Sequence, residues 1–125
     1  MEMTLDTALT DFLSRFPRTD KVWGLEALLV STPLYTAKLL LISPGFQCSL
    51  HYHNEKDETF IVLSGTVDIE VGAIRTYLTP QRPRAHVRPG DRHRFGSRGG
   101  AILLEVSTYH DDADVVRIEP SGRIP

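Results

Sequence analysis

The chain has 125 residues and a single cysteine, Cys48, so it can close no internal disulfide. That fits a reducing compartment. No apolar run approaches the ~20 residues that a membrane helix needs. The opening stretch, Met1 to Asp6, lacks the basic and apolar regions of a signal peptide. The expectation is a cytoplasmic protein with no membrane partner. A formal net charge of −2 gives no global pull toward nucleic acid or anionic lipid. Internal repeats, low-complexity tracts and linkers are absent, which leaves one domain. The hydrophobic share of 41% and charged share of 24% are ordinary for a globule. A chain this long buries roughly two-thirds of its unfolded surface, enough for a genuine core.

Apolar residues recur at helical spacing only near the start, at Leu5, Ala8, Leu9, Phe12, Leu13 and Phe16, and Pro17 ends the pattern. Beyond it the signals are β. Val22 to Val30, Thr36 to Ile42, Phe46 to His53, Glu58 to Leu63 and Thr66 to Val71 read as strands. Ile74 to Leu78, Ala85 to Val87, His93 to Phe95, Ala101 to Thr108 and Val115 to Ile118 continue the series. Many short strands separated by turn residues predict an all-β sandwich or barrel. The expected organisation is a helical extension over 1–20, the barrel over 21–120 and a tail over 121–125.

Within this frame stands the pattern Gly45-x5-His51-x-His53-x4-Glu58-x6-Gly65. Residues i and i+2 of a strand share a face, so His51 and His53 aim together. Asn54 to Asp57 reads as a polar turn that brings the strand opening at Glu58 back beside them. A third histidine, His93, follows the turn Pro89-Gly90-Asp91 from a distant strand. Three imidazoles and a carboxylate suit one divalent transition ion; Mn, Fe(II), Co, Ni and Zn all accept them. In octahedral geometry they leave about two positions open, the arrangement of a catalytic rather than a closed structural site.

These residues resemble the cupin superfamily. The first cupin motif is matched in full. In the second, Gly90-x-x-His93 is intact, the proline sits directly before the glycine, and Ser97 stands where asparagine is usual. Lys21-Val-Trp23-Gly24-Leu-Glu26, Lys38, Lys56-Asp57-Glu58 and Leu103 to His110 with Asp114-Val-Val-Arg117 are similar to type II mannose-6-phosphate isomerases, D-lyxose isomerases and cupins attached to sialic-acid-type synthases. Tyr109 departs from that group, where histidine is expected. The resemblance implies a double-stranded β-helix, or jelly-roll, barrel with a short N-terminal helix, and His51, His53, Glu58 and His93 as metal ligands.

The remaining candidates carry two readings each. Glu105 lies in an apolar strand, where an unpaired carboxylate is costly. Either it pairs with an arginine or lysine, or it points into the cavity as a general base. Lys38, mid-strand, either reaches a sugar hydroxyl or phosphate or extends to water. Trp23 packs in the core or at the barrel mouth, or stacks on a sugar ring. His86 reads as an ordinary strand or loop residue, and His110 as a solvated strand end. Arg75, Arg82, Arg84, Arg88, Arg92, Arg94 and Arg98 make seven of the fourteen basic residues. They form a solvated face or a phosphate-binding set. Arg88, Arg94 and Trp23 are the expected substrate-binding residues, and Glu105 and Lys38 the expected catalytic ones.

Strands Phe46 to His53 and Glu58 to Leu63 look apolar on both faces. In the first, Gln47 and Ser49 share the histidine face, and Phe46, Cys48, Leu50 and Tyr52 the other. That surplus suggests a homodimer. The resemblance implies a metal-dependent aldose–ketose isomerase acting on a sugar or sugar phosphate. Its rivals are an Fe(II)-dependent dioxygenase and a non-catalytic sugar-binding or regulatory cupin.

Overall fold

The helical spacing at the N-terminus produces α1 (Leu5–Leu13), and every later element is a strand. These elements come from a computed structural model that describes residues 5–109 and 111–125. His110 lies outside the described residues.

Among the described residues thirteen strands form two antiparallel sheets. The first holds β1 (Arg18–Lys21), β2 (Gly24–Ser31), β3 (Tyr35–Ile42), β11 (Ala101–Thr108), β6 (Glu58–Gly65) and β9 (Arg84–Val87), in that spatial order. The second runs β12 (Val116–Glu119), β5 (Leu50–Tyr52), β10 (His93–Ser97), β4 (Phe46–Gln47) and β13 (Gly122–Arg123). Strand β7 (Val67–Val71) pairs with β10, and β8 (Ile74–Leu78) pairs with β7. The barrel therefore begins at Arg18, and the segment 121–125, expected as a tail, contributes β13 beside β4. Strand order that ignores sequence order is what a double-stranded β-helix produces, and this fold is a cupin barrel.

The core lies between the sheets. Leu40, Phe60, Val62 and Leu103 come from the first sheet and Val67, Ile69 and Phe95 from the second. Phe60, Leu40, Ile69 and Leu103 are all but inaccessible, and each such side chain contributes roughly 2–3 kcal/mol by burial. The opposite face of the first sheet packs Ala27 and Leu39 under Leu13 and Leu9 of α1. This cover takes up part of the second apolar face, while Leu63 and Val106 remain exposed.

Strict alternation fails between β4 and β5. Gly96 of β10 pairs with Gln47, yet His93 pairs with His51. Two residues of β10 thus face three of the partner, which is a β-bulge. Cys48 sits before the bulge and packs in the core, where its sulfur accepts the Phe95 N–H at 3.2 Å. Burial pushes the Cys48 thiol up to about 12. Phe46 also packs against the core, and Gln47 turns to the outside. The expected grouping of Gln47 with the histidines is therefore corrected, because the extra residue resets the face for everything after it.

The two motif ends are tied together. Ser97, standing in the asparagine position, donates its hydroxyl to the Thr66 carbonyl at 2.6 Å, and its backbone carbonyl accepts the Gly45 N–H at 2.8 Å. Gly65 adopts φ +78°, and a Cβ there would lie 2.3 Å from the Gly100 carbonyl oxygen. A left-handed backbone costs an ordinary residue roughly 1–2 kcal/mol, and the backbone overlap adds to it. Gly65→Ala is expected to destabilise the fold by at least ~2 kcal/mol, read as a drop in denaturant midpoint; an unchanged midpoint would refute this account of the turn.

Candidate metal centre

Three imidazoles converge inside one end of the barrel. Their ligating nitrogens all lie within 4.8 Å of one another. His51 and His53 flank the end of β5, and His93 opens β10 directly opposite His51. The His51 and His93 rings meet at 4.4 Å between centroids. Gly90, at φ +85°, makes the turn before His93 and donates its N–H to the His53 carbonyl at 2.7 Å. The glycine of the second motif thus fastens its turn to a histidine of the first.

Each ring is held from behind. His51 Nδ1 lies 2.8 Å from the Ser49 carbonyl, His93 Nδ1 2.8 Å from that of Asp91, and His53 Nδ1 2.6 Å from that of Asp114. A carbonyl only accepts, so each Nδ1 carries the proton and each Nε2 presents a lone pair. Such outer bonds orient metal-binding imidazoles and fix their tautomer. Burial, then the neighbouring His93, draws His51 down to about 4. Burial also lowers His53, against the opposing pull of the Asp114 carbonyl and Glu58. Both rings are therefore neutral, the ligating form, at neutral pH.

Glu58 opens β6 and is 2% exposed. Its Oε2 lies 3.3 Å from Nε2 of both His53 and His93. Burial works to raise the carboxyl, but with the imidazoles neutral the charge of Lys56 opposes it and keeps the carboxyl below the usual carboxylate range. Among the described residues, Glu58 Oε2 and His93 Nε2 are the buried side-chain polar atoms without a hydrogen-bond partner. Buried polar atoms rarely go unsatisfied, and two lone-pair donors aimed at one point fit a cation. The donor set thus fits a divalent transition ion, which the three histidines could hold with Glu58 beside two of them.

The centre floors a cavity of about 570 Å³. Lys56 Nζ stands 2.9 Å from Glu105 Oε2 and 3.7 Å from Glu58 Oε1, all three nearly inaccessible. Burial works against the Lys56 charge, but Glu105 and then Glu58 override it and raise its pKa. Glu105 pairs with a lysine and also lines the cavity. Lys38 lies directly across from Glu105 in the β3–β11 register and pairs with Glu26 at 3.5 Å inside the cavity. Trp23 is 7% exposed and also lines the cavity, its ring edge-on to Phe95 at 5.1 Å.

The expected substrate arginines are elsewhere. Adjacent residues of a strand face opposite ways, so with His93 inward Arg94 is outward. Its guanidinium binds the Cys48 carbonyl at 2.9 Å, Glu119 at 3.1 Å and the Pro120 carbonyl at 3.1 Å. Arg88 is exposed, and its amide caps onto Asp91. Neither lines the cavity. Six of the seven arginines are exposed, as a solvated face requires. His86 is exposed too, beside Asp57 at 2.9 Å. Two cavity residues escaped the sequence reading. Lys56 was hidden inside the polar turn, although Lys56-Asp57-Glu58 carries part of the family resemblance. Arg117 lies on β12, opposite His51 across the β5 pairing, and lines the cavity mouth with Lys21.

A cupin barrel with a histidine centre is the class that this geometry defines. Residues 13–120 match the family described as mannose-6-phosphate isomerase C-terminal, and the chain belongs to that family. It is 24% identical over 123 residues to the mannose-1-phosphate guanylyltransferase RfbM of Salmonella typhimurium, covering 89% of this chain and 26% of that protein. It is 22% identical over 111 residues to a mannose-1-phosphate guanylyltransferase of Sinorhizobium fredii, covering 86% of this chain and 22% of that one. The chain thus spans about a quarter of these relatives or less. Among solved structures, the capsular polysaccharide assembling protein CapF of Staphylococcus aureus superposes with a TM-score of 0.76 at 19% identity, over 89% of this chain and 34% of CapF. An RmlC-like cupin of Shewanella frigidimarina gives 0.73 at 17% identity, over 80% of this chain and 89% of that one. These two likenesses speak for the fold.

Removing Lys56 takes away the cation that two buried carboxylates share. Lys56→Met is expected to cost the metal-free protein about 3–5 kcal/mol at neutral pH. In the native protein Glu58 is held below its unfolded value, so its contribution is present above about pH 4.5 and is lost as pH falls toward about 2. Without Lys56, Glu58 loses the charge that opposes its burial and is protonated at higher pH, so the deficit of the variant shrinks on acidification. Denaturation of both proteins from pH 7 to pH 4 checks this; a constant deficit would contradict the buried-charge account.

Proposed function

We propose that the chain is a metal-dependent aldose–ketose isomerase acting on a sugar phosphate. The observation that carries this reading is the Lys56–Glu105 ion pair, which sets a carboxylate on the wall of the cavity whose floor is the histidine cluster. Family membership and the names of the curated relatives support a sugar phosphate as the ligand class.

A divalent ion held by His51, His53 and His93 supplies, when bound, Lewis-acid polarisation of a sugar carbonyl. The chain's own residues do the rest. Glu105 takes the proton from the carbon beside the carbonyl and returns it to the former carbonyl carbon, while the hydroxyl proton passes from the second oxygen to the first. Lys56 holds Glu105 Oε2 in one orientation through that cycle. Lys38, fixed by Glu26, offers a donor to a sugar hydroxyl, and Trp23 walls the cavity against water. Among the described residues neither Arg117 nor Lys21 has a carboxylate partner, whereas Lys38 and Lys56 do. A phosphate at the mouth finds its countercharge in these two, Arg117 being suited to bidentate contact. An Fe(II) dioxygenase would use the same ligands but would leave the Glu105–Lys56 pair without a task.

Protein loaded in turn with Mn, Fe(II), Co, Ni and Zn is expected to convert mannose 6-phosphate to its ketose, with activity lost on chelation. Glu105→Gln should lower kcat by about 10²–10⁴-fold while leaving sugar binding in place. Arg117→Ala should raise KM about tenfold for the phosphorylated sugar and leave that for lyxose unchanged. The absence of any ketose with every ion, beside retained sugar affinity, would replace the isomerase with a binding module. Iron-dependent oxygen uptake would replace it with a dioxygenase.

A further inference from the structure

His51 and His93 take their Nδ1 acceptors from two residues away, at the Ser49 and Asp91 carbonyls. His53 does not. Its acceptor is the carbonyl of Asp114, sixty-one positions downstream. The same residue holds the adjoining turn. Asp114 Oδ1 accepts the Asn54 amide at 2.7 Å, and Oδ2 accepts those of Glu55 and Lys56 at 3.1 Å each. Burial opposes the Asp114 charge, but these three amides hold its carboxyl below the usual range. One residue thus grips both ends of 53–56, with His53 at one end and Lys56 at the other. Its side chain also locates its own carbonyl, which cannot swing away from His53 without straining three further bonds. Freed of that carbonyl, the ring could turn an N–H toward the other two imidazoles, and an N–H offers a cation no lone pair.

We propose that Asp114 is the positioning residue of the centre: it keeps His53 in the Nδ1–H form with Nε2 inward and so sets the affinity of the three-histidine cluster for a divalent ion. This rests on the reading of the cluster as a metal centre. Coupling runs both ways. An ion at the cluster steadies the segment that begins at Asp114, and that segment supplies Val115 and Arg117 to the cavity wall.

The test uses Asp114→Asn and Asp114→Ala, each checked for folding by circular dichroism, with nitrogen-15 histidine spectra of the metal-free protein and calorimetric titration with Zn(II) or Co(II) alone. Both variants are expected to lose the single His53 tautomer and to bind the ion about 10–100-fold more weakly. Asp114→Asn, which keeps one side-chain acceptor, should lie nearer the native protein, and it decides the matter if Asp114→Ala fails to fold. Glu119→Gln breaks the Arg94 bridge of the same segment, away from His53, and is expected to change neither tautomer nor affinity. A folded Asp114 variant with native tautomer and affinity within about twofold overturns the proposal, as does an equal loss in Glu119→Gln. A native protein that binds neither ion overturns the reading of the centre and this proposal with it.

Discussion

Three backbone carbonyls behind three imidazoles are the constraint from which the centre is built. Each forces the proton onto the outer nitrogen and the lone pair inward. The carbonyls of Ser49, Asp91 and Asp114 belong to three different segments, so the arrangement exists only when β5, β10 and the C-terminal segment are packed together. At His53, whose acceptor is sixty-one positions away, tertiary structure therefore fixes a tautomer. The consequence is a pocket of lone pairs with Glu58 ionised beside it, and two of its buried atoms find no hydrogen-bond partner among the described residues.

A barrel of this kind pays for such a cluster through register. The bulge between β4 and β5 is the clearest case. Without the extra residue, the alternation that turns Cys48 into the core would turn His51 outward. The bulge lets one strand pack the apolar core at its start and present histidines at its end. Gly90 makes the matching adjustment on the other side, because its left-handed turn reaches His53 and launches His93 in one step. The two motifs act on each other as well as on a common ligand.

What could be read from the chain follows the same physics. His51 and His53 were legible from i, i+2 parity, and Glu58 and His93 from the motifs they stand in; the hairpin expected over 54–57 is corrected, because that turn carries the chain from β5 in the second sheet to β6 in the first. Glu105 was legible as a dilemma, since a carboxylate in an apolar strand must find a partner, and it found Lys56 while lining the cavity. Lys56 itself was not, because a lysine in a polar turn looks solvated until the turn is seen folded inward under Asp114. The bulge was equally hidden: nothing in Phe46 to His53 marks where a residue is inserted. Arg94 was misplaced against an argument that was available, for a residue next to an inward histidine on a strand must face out. Arg117 depended on where the last strand docks, which no local pattern states.

The buried charges form a ladder. Glu26 meets Lys38, Lys38 lies across from Glu105, and Lys56 joins Glu105 to Glu58, which faces His53 and His93. Ions taken out of water are tolerable only when such partners are complete, so no rung can be removed singly without stranding another. The stability of buried pairs is modest, since desolvation consumes most of the attraction. Their retention in a barrel that could have filled the space with leucine therefore argues for fixed orientation rather than for stability. A ladder that ends on the histidine cluster, inside the cavity, is preorganised at its own cost. That cost is the physical reason for seeking the chemistry at this end of the barrel rather than on the arginine-rich face outside it.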